Sequence, residues 1–334
     1  MNLISLITKF LHFLPGEISH NIAMVGLKCL YNFGLLSLLR RSLGSIDNPN
    51  ERDIRYLSKK IGIAAGLDKN GDYIDCLASL GIDFIEVGTV TPRAQKGNPK
   101  PRIFRNIKER SIVNRLGFNN KGVDYLLERL KERKSNIIVG SSIGKNFDTS
   151  NELAVEDYLF CLEKIYEYSD YIAINISSPN TQDLRKLSKI KYLNSLLSRI
   201  KIKQSELSIL YGYRPIFIKL SPDETPEDLA NICDSITDNK IDGIICSNTT
   251  IDHNDENSPG GLSGLPLKEK STNNLKYIRK YVGDDLPIIA SGGVMSATDF
   301  VEKISAGANS VQLYTGFIYE GPKLIQDIKN SSSN

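Results

Sequence analysis

The segment PIIASGGVMSATDFVEKISAGANSVQLYTG (287–316) decides the fold. It opens with a short apolar, β-branched run, PIIASGG (287–293), and closes with another, SVQLYTG (310–316), a helix-length segment lying between them. Such runs, bounded by glycine, read as strands. Working outward, the same rhythm extends back to about residue 61. Six further runs precede it: IGIAAG (61–66), FIEVG (84–88), IIVGSSI (137–143), YIAINI (171–176), PIFIKL (215–220) and DGIICSN (242–248). Helix-length amphipathic segments, such as 151–168 and 225–236, separate most of them. Strands that are apolar nearly throughout imply a parallel sheet covered on both faces. Eight βα units predict an α/β fold, a closed (β/α)8 TIM barrel with a small N-terminal helical extension. The rival is an open doubly wound sheet, but no Gly-rich dinucleotide fingerprint follows the first strand. The second connection, 89–136, is longer and carries Pro92, Pro99 and Pro101 before its helix. The terminal SSSN reads as a frayed tail.

An eight-unit barrel takes about 250 residues, which leaves about 80 of this chain for an extra element. Residues 1–43 supply it. Leu3, Ile4, Leu6, Ile7, Phe10, Leu11 and Leu14 recur at helical spacing until Pro15 and Gly16 break the pattern. A second apolar stretch runs from about Ile22 to Leu39, interrupted by Lys28, Asn32 and Gly34. The first run is too short for a bilayer, which needs about 20 residues, and the second is borderline. Two short amphipathic helices read as an interfacial device or greasy lid; a helical hairpin packed on its own core is the alternative. The division is therefore 1–43, an amphipathic element, and 44–330, the barrel. The N-terminus has no basic region before its apolar run, no small-residue cleavage site and no arginine before Arg40, so neither a signal peptide nor a transit peptide is evident.

A net charge of +3 gives no footprint for nucleic acid. The five cysteines, Cys29, Cys76, Cys161, Cys233 and Cys246, are scattered without a CxxC pair, which suits a reducing compartment and points to no zinc site. With only His12, His20 and His253 available, a histidine-rich metal centre is excluded and no metal is expected.

In such barrels function sits at the C-terminal ends of the strands. Here those ends are polar and glycine-rich: AAGLDKNG, EVGTVTPR, SSIGKN, NISSPNT, KLSPD, SNTT, SGG and YTG. Stability alone needs no asparagine, lysine and serine at all eight. Gly292 and Gly293, with Tyr314, Thr315 and Gly316, follow strands seven and eight, where this fold commonly cradles a phosphate; two tight turns are the bland alternative. Lys69 and Lys219 lie at strand ends amid apolar runs, and burial there needs an anionic partner, for which a flavin is one candidate. Asn114, Asn175, Asn180 and Asn248 offer neutral donors and acceptors suited to an amide-rich planar ligand, although singly each is more often a cap or turn residue.

The matching segments are AAGLDKNG (64–71), EVGTVTPRAQKGNPKPRIFR (86–105), NRLGFNNKG (114–122), NISSPNT (175–181), IKLSPD (218–223), SNTT (247–250), GGLSG (260–264), SGGV (291–294) and QLYTGFIYEGP (312–322). In order and over nearly the whole chain, they resemble the dihydroorotate dehydrogenase family. The helical extension and the serine in NISSPNT resemble its second class, membrane-associated and quinone-reducing. The resemblance implies one FMN per chain, held by Ala65, Gly66, Thr89, Asn175, Lys219, Ser247, Gly264, Gly293, Tyr314 and Thr315. It implies a substrate met by Lys69, by Asn114, Arg115, Leu116, Gly117 and Phe118, and by Asn180, Asn248 and Thr249. Lys69 would meet the substrate carboxylate. One position departs from the family: Ser142 stands where asparagine is usual, and serine offers no amide, so its flavin contact is either through water or lost.

The implied reaction removes a proton from C5 and a hydride from C6 of dihydroorotate, in de novo UMP synthesis. The flavin takes the hydride. Ser178 would be the base, activated by the site or relaying through water, since no histidine accompanies it in the motif; a helix cap before Pro179 is its structural alternative. Lys219 would stabilise charge developing on the reduced ring. A quinone would arrive between the N-terminal helices, past His20, Arg105 and Tyr314. The serine base and the extension disfavour the soluble first class. The low charge disfavours a tRNA dihydrouridine synthase, and the intact Lys69, Ser178, Asn180 and Lys219 disfavour a non-catalytic phosphate-binding scaffold. The expected location is peripheral, on the cytoplasmic face of a bacterial inner membrane rather than a mitochondrial one.

Overall fold

A computed structural model of the chain describes residues 10–36, 53–56, 58–181, 183–253 and 259–332. Its strands are β1 (Lys60–Ile63), β2 (Phe84–Val90), β3 (Ile103–Asn106), β4 (Ser111–Asn114), β5 (Ile138–Ile143), β6 (Tyr171–Asn175), β7 (Ile216–Leu220), β8 (Gly243–Cys246), β9 (Gly261–Gly264), β10 (Ile288–Ser291) and β11 (Ser310–Leu313). Eight of them close a parallel barrel in the order β1-β11-β10-β8-β7-β6-β5-β2. These eight are the runs read from the sequence, and the expected barrel is present.

The helices are α1 (Gly16–Asn32), α2 (Ile74–Ala78), α3 (Val123–Glu132), α4 (Ala154–Ile165), α5 (Ile190–Tyr211), α6 (Pro226–Asp238), α7 (Lys268–Val282), α8 (Ala297–Ser305), α9 (Thr315–Glu320) and α10 (Pro322–Ser332). Their apolar faces and the outward-facing strand residues form one continuous core. Local chemistry sets their starts. Thr225 Oγ1 accepts the Asp228 amide ahead of Pro226 at the first position of α6, and Ser296 Oγ accepts the Asp299 amide at the start of α8.

A second cluster, Ile54, Phe84, Ile138, Tyr171, Ala173, Phe217, Ile245 and Ile289, fills the barrel interior. The rings of Tyr171 and Phe217 meet edge to face, with centroids 5.7 Å apart. Glycines on neighbouring strands make the room. A Cβ on Gly140 would stand 2.0 Å from the Tyr171 ring, and one on Gly243 would stand 2.3 Å from the Phe217 ring. The interior is thus packed shut below the site, as layered barrels are.

Three features depart from the expectations. Strands β3, β4 and β9 form a separate antiparallel sheet, with β4 in the middle. Helix α1 begins at Gly16, directly after Pro15, rather than at Ile22. Its polar first turn belongs to the helix because Glu17 bridges to Arg102 at 2.9 Å and Gly16 packs on Ile103 of β3. The serine run at the C-terminus is helical through Ser332, with the Ser331 hydroxyl donating to the Ile328 carbonyl at 2.8 Å. Most of the first expected helix, the end of the second, and the boundary at 43–44 lie outside the described residues.

Candidate active site

One cavity opens at the C-terminal end of the barrel, about 920 Å³ with the solvent at its mouth included. Its walls gather Ala65, Gly66, Lys69, Thr89, Asn114, Leu116, Gly117, Phe118, Asn175, Ser178, Asn180, Lys219, Ser247, Asn248, Thr249, Gly264, Gly293, Tyr314 and Thr315. Every residue expected to meet a cofactor is there, and every expected substrate residue except Arg115. The Arg115 side chain turns outward instead. Its guanidinium donates to the Pro101 carbonyl at 2.9 and 3.0 Å and lies over the Phe104 ring, so only the backbone of this residue belongs to the site loop.

The floor is glycine-rich. Gly264, Gly292 and Gly293 have φ of +95°, +110° and +73°, the region that L side chains rarely adopt. Space forbids a side chain as well. A Cβ on Gly293 would sit 2.2 Å from Lys268 Cα, one on Gly264 2.3 Å from the Arg110 carbonyl, and one on Gly316 2.1 Å from the Val294 carbonyl. Backbone from three connections therefore borders the cavity directly, as an anion cradle requires.

Opposite the cradle stands the amide cluster. Asn180 Nδ2 donates to Asn114 Oδ1 at 3.1 Å, and Asn248 Nδ2 donates to the Ser177 hydroxyl at 3.0 Å. Asn175 Nδ2 donates to Thr89 Oγ1 at 2.8 Å. Ser142, completely buried, pairs with the same Thr89 hydroxyl at 2.8 Å and does not reach the cavity. Its place in the site is to orient Thr89. The Ser178 hydroxyl accepts the Asn180 amide at 3.3 Å, and among the described residues no histidine or carboxylate meets it.

The two lysines differ. Lys69 has no hydrogen-bond or ion-pair partner among the described residues. Burial, then the nearby Arg102, pushes its ammonium down to about 8. A recessed cation without a counter-ion suits a ligand that brings a carboxylate. Lys219 already has an anion. Its Nζ lies 3.1 Å from Glu86 Oε1, and Glu86 also receives Gln312 Nε2 at 2.6 Å. The partner of this buried lysine is thus Glu86, a residue not among those expected from the sequence. Gln312 was missed too. It lines the cavity, and its Oε1 is buried without a donor among the described residues. Both carried a signal: each is the one residue with a carboxylate or amide side chain inside a largely apolar strand run.

The three residues expected along a quinone path come from three different elements. Tyr314 lines the cavity, and burial raises its hydroxyl to about 12. Arg105 on β3 donates to the His12 carbonyl at 2.9 Å and so holds the segment leading into α1. His20 on α1 is pushed down to about 4 by burial and then by Lys69, and is neutral at pH 7. Between α1 and the cavity lies an apolar patch of Ile112, Met295 and Tyr319, with Ile103 and Ile318 against it, and Met295 itself lines the cavity.

A closed parallel barrel whose strand ends bring together glycine backbone, a recessed lysine without a partner among the described residues and a group of amides has the make-up of a βα-barrel enzyme site. Comparison with known proteins makes this specific. The profile of the dihydroorotate dehydrogenase family matches residues 55–332. A dihydroorotate dehydrogenase (quinone) of Vibrio parahaemolyticus is 50 % identical over 275 residues, 80 % of this chain and 82 % of that protein. Its counterpart in Aliivibrio salmonicida is 47 % identical over 327 residues, 95 % and 96 % of the two chains. A crystal structure of the Eimeria tenella enzyme with ferulenol superposes with a TM-score of 0.77 at 34 % identity, covering 90 % of this chain and 89 % of that one. The chain belongs to the dihydroorotate dehydrogenase family, in its second class.

Proposed function

We propose that this protein oxidises (S)-dihydroorotate to orotate with FMN as hydride acceptor and a quinone as final electron acceptor, a step of pyrimidine biosynthesis. The observation that carries the reading is the convergence of Lys69, Asn114, Ser178, Asn180 and Asn248 on one cavity floored by the glycine cradle. The donor set fits FMN: a backbone cradle for a phosphate, the unpaired Gln312 oxygen for a ring N–H, and Thr89, Asn175 and Lys219 beside them. When bound, FMN would supply the hydride-accepting chemistry and the electron link to the quinone.

The protein's own part is positioning and proton removal. Lys69 would hold the substrate carboxylate, and Asn114, Asn180 and Asn248 the substrate ring. Ser178 would take the C5 proton. With no base at its hydroxyl among the described residues, the proton must leave through water. Lys219 would face the ring with its charge partly offset by Glu86.

Residues 1–43 are read as the membrane and quinone-access element and 44–330 as the catalytic barrel. In support, α1 exposes Ile18, Ile22, Val25 and Leu30, and Phe13 and Phe33 flank it in the open. Among the described residues no helix is long and apolar enough to cross a membrane. Peripheral docking fits both facts, with a bacterial inner membrane as the proposed site, and the quinone passing His20, Arg105 and Tyr314.

The test is anaerobic mixing of purified protein with dihydroorotate while the flavin absorbance is followed, then addition of a ubiquinone analogue. Bleaching followed by quinone-driven recovery is the expected result. Recovery only with fumarate would reassign the electron acceptor, and a coloured protein that never bleaches would refute the substrate.

A further inference from the structure

Lys303, on the inward face of α8, is 1 % exposed. Its ammonium donates to Ser271 Oγ at 2.7 Å, Thr272 Oγ1 at 2.8 Å and the Lys268 carbonyl at 3.4 Å. All three acceptors are neutral. The two carboxylates nearest in sequence are engaged elsewhere: Asp299 and Glu302 receive the Lys268 ammonium at 2.5 and 2.8 Å. Burial pushes Lys303 down to about 8. Among the described residues its hydrogen bonds go only to hydroxyls and a carbonyl, and Cys246, Glu302 and Asp299 offset the burial in part; a buried cation so held gains from a further anion.

Its position says which anion. Ser271 Oγ lies 3.0 Å from both the Lys268 and the Gly292 carbonyls, and its proton can be shared between them or given to Gly292 while it accepts from Lys303. The Gly292–Gly293 turn rests on the same first turn of α7: a Cβ on Gly292 would meet Ser271 at 3.2 Å, and one on Gly293 would collide with Lys268. Lys303 therefore stands one hydroxyl behind the backbone of the anion cradle, outside the cavity it serves.

We infer that Lys303 is a positioning residue and buried counter-charge for a phosphate monoester in this cavity, acting through Ser271 on the Gly292–Gly293 turn, so that it selects the phosphorylated flavin over the unphosphorylated one. The inference rests on the FMN reading above. It assigns phosphate selectivity to a side chain that touches neither ligand nor solvent.

The test uses holoenzyme equilibrated with mixtures of FMN and riboflavin, the bound flavins then being released and quantified. Wild type is expected to hold FMN in strong preference. Lys303→Met is expected to lower the FMN-to-riboflavin ratio about tenfold while riboflavin retention stays near wild type. Lys303→Arg keeps the charge and should keep most of the preference. Ser271→Ala leaves the ammonium on Thr272 but uncouples it from Gly292, and should lower the ratio in the same direction even if Lys303→Met does not fold. Equal loss of both flavins in Lys303→Met and Ser271→Ala would make the role purely structural and overturn the inference. An unchanged ratio in a folded variant would overturn it as well. Failure of the FMN reading shows separately, as a wild-type protein with no preference between the two flavins.

Discussion

Glu86 and Lys219 face each other across the barrel, Oε1 to Nζ 3.1 Å, one from β2 and the other from β7. The carboxylate is fully buried, directly above the aromatic layer, and the Tyr171 hydroxyl donates to it at 3.3 Å. Lys219 borders the cavity and Glu86 does not. The field reaching a bound ring is therefore that of an ion pair, weaker than that of a bare ammonium.

This gives a signed prediction for Glu86→Gln. The neutral amide leaves the Lys219 charge uncompensated, so negative charge on the reduced ring gains stabilisation. The midpoint potential of the bound flavin is expected to shift to more positive values, measurable by spectroelectrochemistry. Loss of one partner of a buried pair should also cost about 3 kcal/mol of stability, seen in denaturant unfolding. A potential that stays fixed or moves negative would contradict the account.

Lys69 gives a pH dependence. Its folded pKa is lowered to about 8 by burial, with Arg102 opposing its charge and Glu17 favouring it, and with His20 neutral beside it. A carboxylate substrate binds the protonated form. Affinity is therefore full below pH 8 and is lost as pH rises through 8 toward the higher pKa of the complex. KM for dihydroorotate should climb on that limb while flavin content stays constant. Lys69→Met should raise KM by about 10- to 100-fold at pH 7 and flatten the profile.

Arg185 ties the base loop to the substrate loop. Its Nε donates to the Ser177 carbonyl at 3.1 Å, one terminal nitrogen to the Thr249 carbonyl at 2.9 Å, and the other to Asp223 at 2.9 Å. Lys270 and the Ile251 amide complete the Asp223 carboxylate. Arg185→Gln keeps a polar group but breaks the fork. It should lower kcat by about 100-fold through misplacement of Ser178, with bound flavin unchanged. Rapid-reaction traces would show the loss in the reductive half-reaction, and a loss confined to flavin retention would place Arg185 in the cofactor site instead.

How much of this was legible depends on whether the signal was local. All eight barrel strands were readable because burial on both faces makes each one apolar in sequence. The polar strand ends were readable for the same reason, as breaks in that pattern. The sheet of β3, β4 and β9 was not, because its segments IFRN, SIVN and GLSG are short and β4 pairs with residues about 150 positions away. Arg115 was misplaced because a run of neighbours was carried over whole, whereas successive side chains in extended chain face opposite ways. Glu86, Arg185 and Lys303 act from behind the cavity wall, and only the three-dimensional contacts reveal what each supports.

The cradle can be tested with a matched pair of glycines. Gly293 and Gly283 share a positive φ, +73° and +71°. Replacing either by alanine puts a side chain at positive φ, which should cost about 1–3 kcal/mol. The surroundings differ. An added Cβ at Gly283 meets nothing within 4 Å, whereas at Gly293 it falls 2.2 Å from Lys268 Cα and 2.7 Å from its nitrogen. Backbone cannot yield as a side-chain tip would, so the turn must move off α7 and the cavity wall must change shape with it. Gly283→Ala is expected to melt slightly earlier with its full flavin complement. Gly293→Ala is expected to purify folded but largely colourless, with FMN restored only at high concentration. Equal flavin content in the two variants would show that the backbone approach at Gly293 does not shape the site.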